Sequence, residues 1–132
     1  MQSDPPAFLC DELIDIAHKA GEEGEVPIAA GLYRITDTNW QTICLAVNQT
    51  ISMKNPLAHA EILVIDKARQ LLQTEYLTEL RLVTTLEPCL HCTGAIVLSR
   101  INAVHFFAPS AKGIRLSDIM SLSLTNKKNQ TD

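Results

Sequence analysis

Apolar residues near the start of the chain recur at the spacing of a helix. They are separated by one to four residues, at Leu9, Leu13, Ile16, Ala17 and Ala20. This spacing predicts a helix over about residues 8–21. Gly21 and Gly24 then end the pattern.

Two apolar stretches follow, at residues 28–35 and 42–47, and both are predicted to be strands. The intervening residues 36–39, Thr-Asp-Thr-Asn, are turn formers. The two strands are therefore expected to form an antiparallel hairpin. Residues 48–56 read as a loop.

The rest of the chain alternates predicted helices and strands: a helix at about 58–73, a strand at 80–85, a helix at about 89–99 and a strand at 103–107. The expected buried stripe of the first of these helices is Ile62, Ile65, Ala68, Leu71 and Leu72. This order predicts a three-layer α/β/α domain, an α/β fold with a mixed central sheet and helices on both faces. Strands separated by a helix are expected to run parallel.

After Pro109 the pattern weakens. Residues 114–120 are predicted to form a short helix, and residues 121–124 an edge strand or coil. The polar residues 125–132 are expected to be disordered. The chain is thus interpreted as a single domain over residues 1–132, with an ordered core at about 8–120.

Composition fits an ordinary soluble globular protein, with 132 residues, 46% of them hydrophobic and 20% charged. No apolar run is long enough to cross a membrane, and the first residues show no secretory signal, so a cytoplasmic location is expected. The net charge of −4 argues against broad non-specific binding of nucleic acid, although a local basic patch remains compatible with it.

Two short segments carry the candidate chemistry, His-Ala-Glu at 59–61 and Pro-Cys-Leu-His-Cys at 88–92. Cysteines three residues apart at a helix start project from one face, and the helix N-terminus stabilises their thiolates. With one imidazole from elsewhere they form a three-ligand zinc set whose open fourth position accepts water, and zinc lowers the pKa of that water to about 7. Glu61, two residues after His59, is placed to carry the protons.

The pattern H-x-E followed by P-C-x-x-C is the signature of the zinc nucleobase deaminases, and the chain resembles this cytidine and deoxycytidylate deaminase superfamily from about residue 8 to residue 120. It is most similar to the bacterial tRNA adenosine deaminases. The matching segments are Glu-Val-Pro-Ile at 25–28, Asn48, Pro-Leu-Ala-His-Ala-Glu at 56–61, Thr-Leu-Glu-Pro-Cys at 85–89 and Ser-Arg-Ile at 99–101.

The resemblance implies a cytidine deaminase-like fold with one zinc ion per chain. It implies that His59, Cys89 and Cys92 hold the zinc and that Glu61 is the catalytic acid and base.

The same resemblance implies a set of substrate contacts and an assembly. Asn48 is expected to hydrogen-bond the substrate and Ile28 to pack on the base, with Ala60 and Leu86 as further substrate-binding positions. Proteins of this family are usually homodimers, so a homodimer is expected.

Adenosine in a tRNA anticodon loop, converted to inosine, is the substrate that the resemblance favours. Lys54, Lys112 and Arg115 would then contact phosphates near the pocket.

The chain departs from the tRNA enzymes in Phe-Ala-Pro-Ser at 107–110 and is expected to lack their terminal helix. Because Thr-Thr-Leu at 84–86 and Cys-Thr-Gly-Ala-Ile at 92–96 also resemble fungal cytosine deaminases, the alternative is a free base or nucleoside such as cytosine, guanine or cytidine.

Two other interpretations use the same cysteines. A strand leading into a C-x-x-C helix is also typical of thioredoxin-like redox proteins, but that interpretation leaves residues 59–61 without a role. A purely structural zinc site needs a fourth ligand, and His91, inside the C-x-x-C segment, is poorly placed to supply it.

Overall fold

A four-stranded sheet lies at the centre of the structure, a computed structural model that describes residues 4–109. Three helices and four strands follow one another along this part of the chain. They are α1 (Ala7–Glu22), β1 (Ala29–Thr36), β2 (Asn39–Val47), α2 (Ala60–Leu72), β3 (Leu80–Leu86), α3 (Leu90–Leu98) and β4 (Ala103–Ala108).

The strands are arranged in the order β2-β1-β3-β4. β1 is antiparallel to both β2 and β3, whereas β3 and β4 are parallel. The strands joined by α2, β2 and β3, therefore point in the same direction with β1 between them. Both helix-containing connections thus join parallel strands, as predicted, and the sheet is mixed.

The helices cover both faces of the sheet. α1 packs on one face, where the buried cluster is Leu9, Leu13, Ala17, Ala29, Tyr33 and Val83. α2 and α3 pack on the other face, where the cluster includes Leu32, Val64, Ile65, Leu82 and Ile96. The prediction of a three-layer α/β/α architecture is confirmed for the described residues.

Two details differ from the predictions. β2 begins at Asn39, earlier than expected, because a turn of only two residues closes the hairpin and Thr36 already pairs with Asn39. Asp37 makes this tight turn with a φ of 57°, in the left-handed region that aspartate tolerates. On α2, Leu71 is exposed rather than buried, whereas Val64, which is not in the predicted buried stripe, lies in the core.

A close contact inside β1 fixes the residue types at two positions. The ring of Tyr33 is completely buried and folds back across Gly31. A Cβ atom at position 31 would lie 2.6 Å from Cζ of that ring, far inside van der Waals contact. Glycine at position 31 is therefore what lets the tyrosine enter the core beneath α1.

The predictions for residues 110–132, including the helix at 114–120, the segment at 121–124 and the tail, lie outside the described residues. Within residues 4–109, no helix combines the length and the apolar character that crossing a membrane requires.

Candidate active site

The two segments singled out in the sequence meet at the starts of two helices. His59 is the N-cap residue of α2 and Cys89 is the N-cap residue of α3, both with extended backbone. Cys92 lies in the first turn of α3 and is fully buried. The positive ends of both helix dipoles are therefore next to these side chains.

The distances between the three donor atoms fit a zinc ion. Nδ1 of His59 lies 3.3 Å from Sγ of Cys92 and 3.5 Å from Sγ of Cys89, and all three donor atoms lie within 4.8 Å of one another. Tetrahedral zinc, with bonds of about 2.0 Å to nitrogen and 2.3 Å to sulfur, places such atoms about 3.5 Å apart. The residues present therefore fit the metal, with Nδ1 as the donor atom of His59.

His91 does not belong to this cluster of donor atoms. Its ring meets the ring of His59 edge-on, with 5.7 Å between centroids, and its side chain is exposed. Among residues 4–109, the metal-competent group contains only His59, Cys89 and Cys92. Three protein ligands leave one tetrahedral position open, which is typical of catalytic rather than structural zinc.

Glu61 lies beside this cluster, almost completely buried in the first turn of α2. One carboxylate oxygen, Oε1, accepts a hydrogen bond of 2.9 Å from the hydroxyl of Thr84. The other, Oε2, accepts one of 2.9 Å from the thiol of Cys92. Burial raises the pKa of the Cys92 thiol, and the negative charge of Glu61 raises it further. A cation at the cluster would offset the repulsion between these two acids.

The predicted substrate contacts Asn48 and Ile28 come together next to the start of α2. The backbone N–H of Asn48 donates to the carbonyl of Ile28 at 2.9 Å, and the next residue, Gln49, donates to Ala58, which precedes His59. Oδ1 of Asn48 accepts two hydrogen bonds from Thr50, of 3.0 Å from the N–H and 2.8 Å from the hydroxyl. Its Oδ1 is therefore already occupied by a neighbouring residue of the same loop.

The other two predicted contacts lie in different surroundings. The Ala60 side chain is fully buried in the core beneath α2. Leu86 is half-buried at the end of β3, two residues after Thr84. Lys54 is exposed in the loop after Asn48, whereas Lys112 and Arg115 lie outside the described residues.

The loop that carries Asn48 is fastened by Glu25. The Glu25 carboxylate accepts hydrogen bonds from the backbone N–H groups of Ile51 and Ser52, at 3.1 and 2.9 Å. Desolvation acts to raise the pKa of Glu25, but these hydrogen bonds outweigh it and lower that pKa. The segment Glu-Val-Pro-Ile thus contributes a structural anchor that the sequence did not reveal.

Thr84 is the residue at this site that sequence reasoning missed. It is completely buried and lies on the same face of β3 as Leu80 and Leu82, the face that α2 covers. A hydroxyl in line with two leucines on a core-facing strand was the available signal, because a buried hydroxyl requires a partner.

Comparison with known proteins identifies the region. Residues 6–108 match the family model for the cytidine and deoxycytidylate deaminase zinc-binding region. The tRNA-specific adenosine deaminase of Bacillus subtilis is 44% identical over 111 residues, which cover 84% of this chain and 66% of that protein. Its counterpart in Aquifex aeolicus is 43% identical over 96 residues, 73% of this chain and 61% of that protein. The chain thus spans slightly less than two thirds of the length of these relatives.

Two solved structures share the fold. A structure from a study of A-to-I editing by tRNA:A34 deaminases has a TM-score of 0.77 at 34% identity, over 88% of this chain and 83% of that one. A guanine deaminase from Bacillus subtilis has a TM-score of 0.71 at 26% identity, over 90% of this chain and 70% of that one. The matched family binds zinc, so zinc is the cofactor for which the donor atoms are arranged. With its signature residues gathered at one zinc-competent cluster, the chain belongs to the cytidine and deoxycytidylate deaminase zinc-binding family.

Proposed function

We propose that this chain is a zinc-dependent hydrolytic deaminase that converts adenosine to inosine in a tRNA anticodon loop. The observation that carries the proposal is the three-donor cluster of His59, Cys89 and Cys92, with the buried carboxylate of Glu61 beside it. An open metal position next to a proton-carrying acid is what hydrolysis of an exocyclic amine requires.

The roles of the zinc ion and of Glu61 in the reaction follow from the positions of the side chains. When bound, zinc supplies a Lewis acid that activates water near neutral pH. Glu61 takes the proton of the attacking water through Oε2, the oxygen on the side of the cluster. It delivers this proton to the ring nitrogen, then takes the second proton of the former water from the new C6 hydroxyl and gives it to the amine, which leaves as ammonia. Water and adenosine thereby give inosine and ammonia, with Glu61 restored.

Recognition of the base is assigned to the residues around this centre. Nδ2 of Asn48 donates to an acceptor on the substrate, because Thr50 occupies its Oδ1. Ile28 packs on the flat face of the base. Leu86 borders the pocket from the end of β3, and Ala60 borders it through its backbone, since its side chain lies in the core.

The tRNA substrate is supported by the relatives that are named tRNA-specific adenosine deaminases. Lys54 lies in the exposed loop after Asn48 and is suited to contact a phosphate, together with Lys112 and Arg115. A free base is the second candidate, and the fold shared with a guanine deaminase favours it.

Ammonia release should distinguish the two candidates in one panel of an anticodon stem-loop, adenosine, cytidine, cytosine and guanine. We expect turnover of the stem-loop, with kcat/KM falling about 20-fold between 50 and 200 mM salt if three phosphates of a single strand are contacted. Lys54→Ala should flatten this salt dependence, because one phosphate contact is lost. Lys19→Ala, at an exposed position on α1, is the matched control.

Turnover of guanine or another free base, with no turnover of the stem-loop, would contradict the tRNA substrate. A free base has no phosphate, so its kcat/KM should also be nearly independent of salt.

We further propose that the protein is a homodimer formed through α3. Leu90, Val97 and Leu98 lie on one side of this helix and are 52%, 69% and 77% exposed. A contiguous exposed apolar patch marks an interaction surface, and a second copy would bury it. A cytoplasmic location is proposed as well, because the two ligand thiols must stay reduced.

Substitution of Leu98 by glutamate should convert the dimer into monomers that retain zinc, because the charge would be buried at the interface. Light scattering during gel filtration measures the mass. Leu71→Glu is the control, since Leu71 is a leucine of comparable exposure, 60%, on a different helix, α2. A wild-type protein that is monomeric at micromolar concentration would contradict the homodimer.

A further inference from the structure

The geometry points to a further role at this site: we propose that Thr84 is a positioning residue that holds Glu61 by one carboxylate oxygen. The other oxygen is thereby directed toward the metal cluster. The inference rests on the proposed function, in which Glu61 carries protons. It gives a role to a residue that lies outside both H-x-E and P-C-x-x-C.

The Thr84 hydroxyl has one proton and three oxygen atoms around it. Oε1 of Glu61 lies 2.9 Å away, the carbonyl of Leu86 3.2 Å and the carbonyl of Ala29 3.4 Å. A hydroxyl donates a single hydrogen bond, and bonds to a carboxylate are the shorter and stronger ones. The proton therefore goes to Glu61.

This bond makes the two oxygens of the carboxylate different from each other. Oε1 is attached to β3 through Thr84, and Oε2 faces Cys92 at 2.9 Å. The terminal torsion of a glutamate is broad, so an unattached carboxylate samples a wide range of orientations. Proton transfer requires an oxygen within hydrogen-bond reach of the reacting group, and Thr84 keeps Oε2 in that orientation.

The hydrogen bond between Thr84 and Glu61 is protected from solvent. Thr84 is completely buried and Glu61 is 4% exposed, so bulk water does not compete for either group. A valine has nearly the same shape as threonine and would fill the same place beside Leu80 and Leu82. The hydroxyl is thus dispensable for filling the core, and its partner is the carboxylate.

Thr84→Val, which removes only the hydroxyl, tests the assignment. We expect kcat on the substrate that the ammonia panel identifies to fall about 10- to 100-fold, the equivalent of one hydrogen bond to a charged group, with KM unchanged. Thr84→Ser should restore most of kcat. Zinc content, measured on the same samples, should remain one per chain, and a crystal structure should show Glu61 in altered or multiple orientations.

Thr85→Val is the matched control from the same strand. The Thr85 hydroxyl accepts a hydrogen bond of 3.1 Å from the backbone N–H of Ala29. Its loss should lower the melting temperature without lowering kcat. Should Thr84→Val fold poorly, Thr84→Ala removes the same hydroxyl without adding bulk, and the same loss of kcat is expected.

Glu61→Ala in the same assay distinguishes a failure of the proposed proton carrier from a failure of the positioning role. If it retains turnover, the proposed proton carrier is wrong. If it is inactive while Thr84→Val has the wild-type kcat and a Glu61 carboxylate in its original place, the positioning role is wrong. A loss of zinc from Thr84→Val would also overturn the assignment, because Thr84 would then support the metal site. In the Glu61→Gln background, Thr84→Val should reduce the remaining kcat little further.

Discussion

Glu61→Ala is expected to lose about 10²- to 10⁴-fold in kcat while still binding one zinc ion per chain. The carboxylate contacts Cys92 and Thr84 but is not one of the three clustered donors, so its removal leaves the metal ligands in place. Ammonia release and metal analysis on the same preparation measure both quantities.

Asp66→Ala provides the control for Glu61, because Asp66 is an acid on the exposed side of the same helix. It should retain both zinc and turnover. Glu61→Gln keeps the shape of the side chain and should lose nearly as much activity as alanine. Retention of most of the turnover in both Glu61 variants would refute the assignment of Glu61 as the proton carrier.

Cys92→Ser should lose both the zinc and the activity. Cys92 is fully buried between His59, Cys89 and Glu61, and a serine hydroxyl is a much poorer zinc ligand than a thiolate. Metal binding contributes to folding free energy, so the melting temperature should fall as well. Metal analysis, ammonia release and thermal unfolding of protein purified without chelator measure the three effects.

Cys44→Ser is the matched control, since Cys44 is the other buried cysteine of the described residues and its thiol donates only to the carbonyl of Val64. It should keep its zinc. The outcome that would favour redox chemistry is a wild-type protein without zinc that forms a reversible disulfide between Cys89 and Cys92. Family membership and the proximity of His59 to both thiols favour the metal.

The metal cluster was predictable because its residues are placed by local rules. Cysteines three apart at a helix start must share a face, so Cys89 and Cys92 needed no knowledge of the fold. His59 was predictable through its motif. The contact of Thr84 with Glu61 was not, because it depends on how β3 lies beneath α2, and no short-range pattern encodes that placement.

The burial of residues on α2 and the start of β2 show the same difference between local patterns and tertiary contacts. The spacing on α2 located the helix, but how far the core extends along it decided that Val64 is buried, whereas Leu71, two turns further along nearly the same face and next to the helix end, is exposed. The early start of β2 arises from pairing with β1 across a two-residue turn. Cross-strand pairing and the extent to which a helix is covered by the core are tertiary properties, so apolar spacing alone placed these residues only approximately.

Similarity in a motif does not by itself imply catalysis. Ser-Arg-Ile at 99–101 supported the resemblance to tRNA deaminases, yet it closes the end of α3. The Ser99 carbonyl accepts a hydrogen bond of 2.8 Å from the Leu77 N–H. Arg100 adopts a φ of 59° and stacks on Tyr76 at 3.9 Å. In this chain the motif therefore has a structural role at the end of α3, and it does not indicate the substrate.

Because the Tyr33 ring lies over Gly31, the residue types that positions 31 and 33 can accept during evolution depend on each other. A side chain at position 31 is compatible with this core only when the residue at position 33 is too small to reach back across the strand. The two sites are thus expected to covary among relatives, with either glycine and a large ring or two aliphatic residues. A change at position 31 alone overpacks the core, whereas a smaller residue at position 33 alone leaves a cavity, so both single intermediates are destabilised and exchange favours nearly simultaneous substitutions.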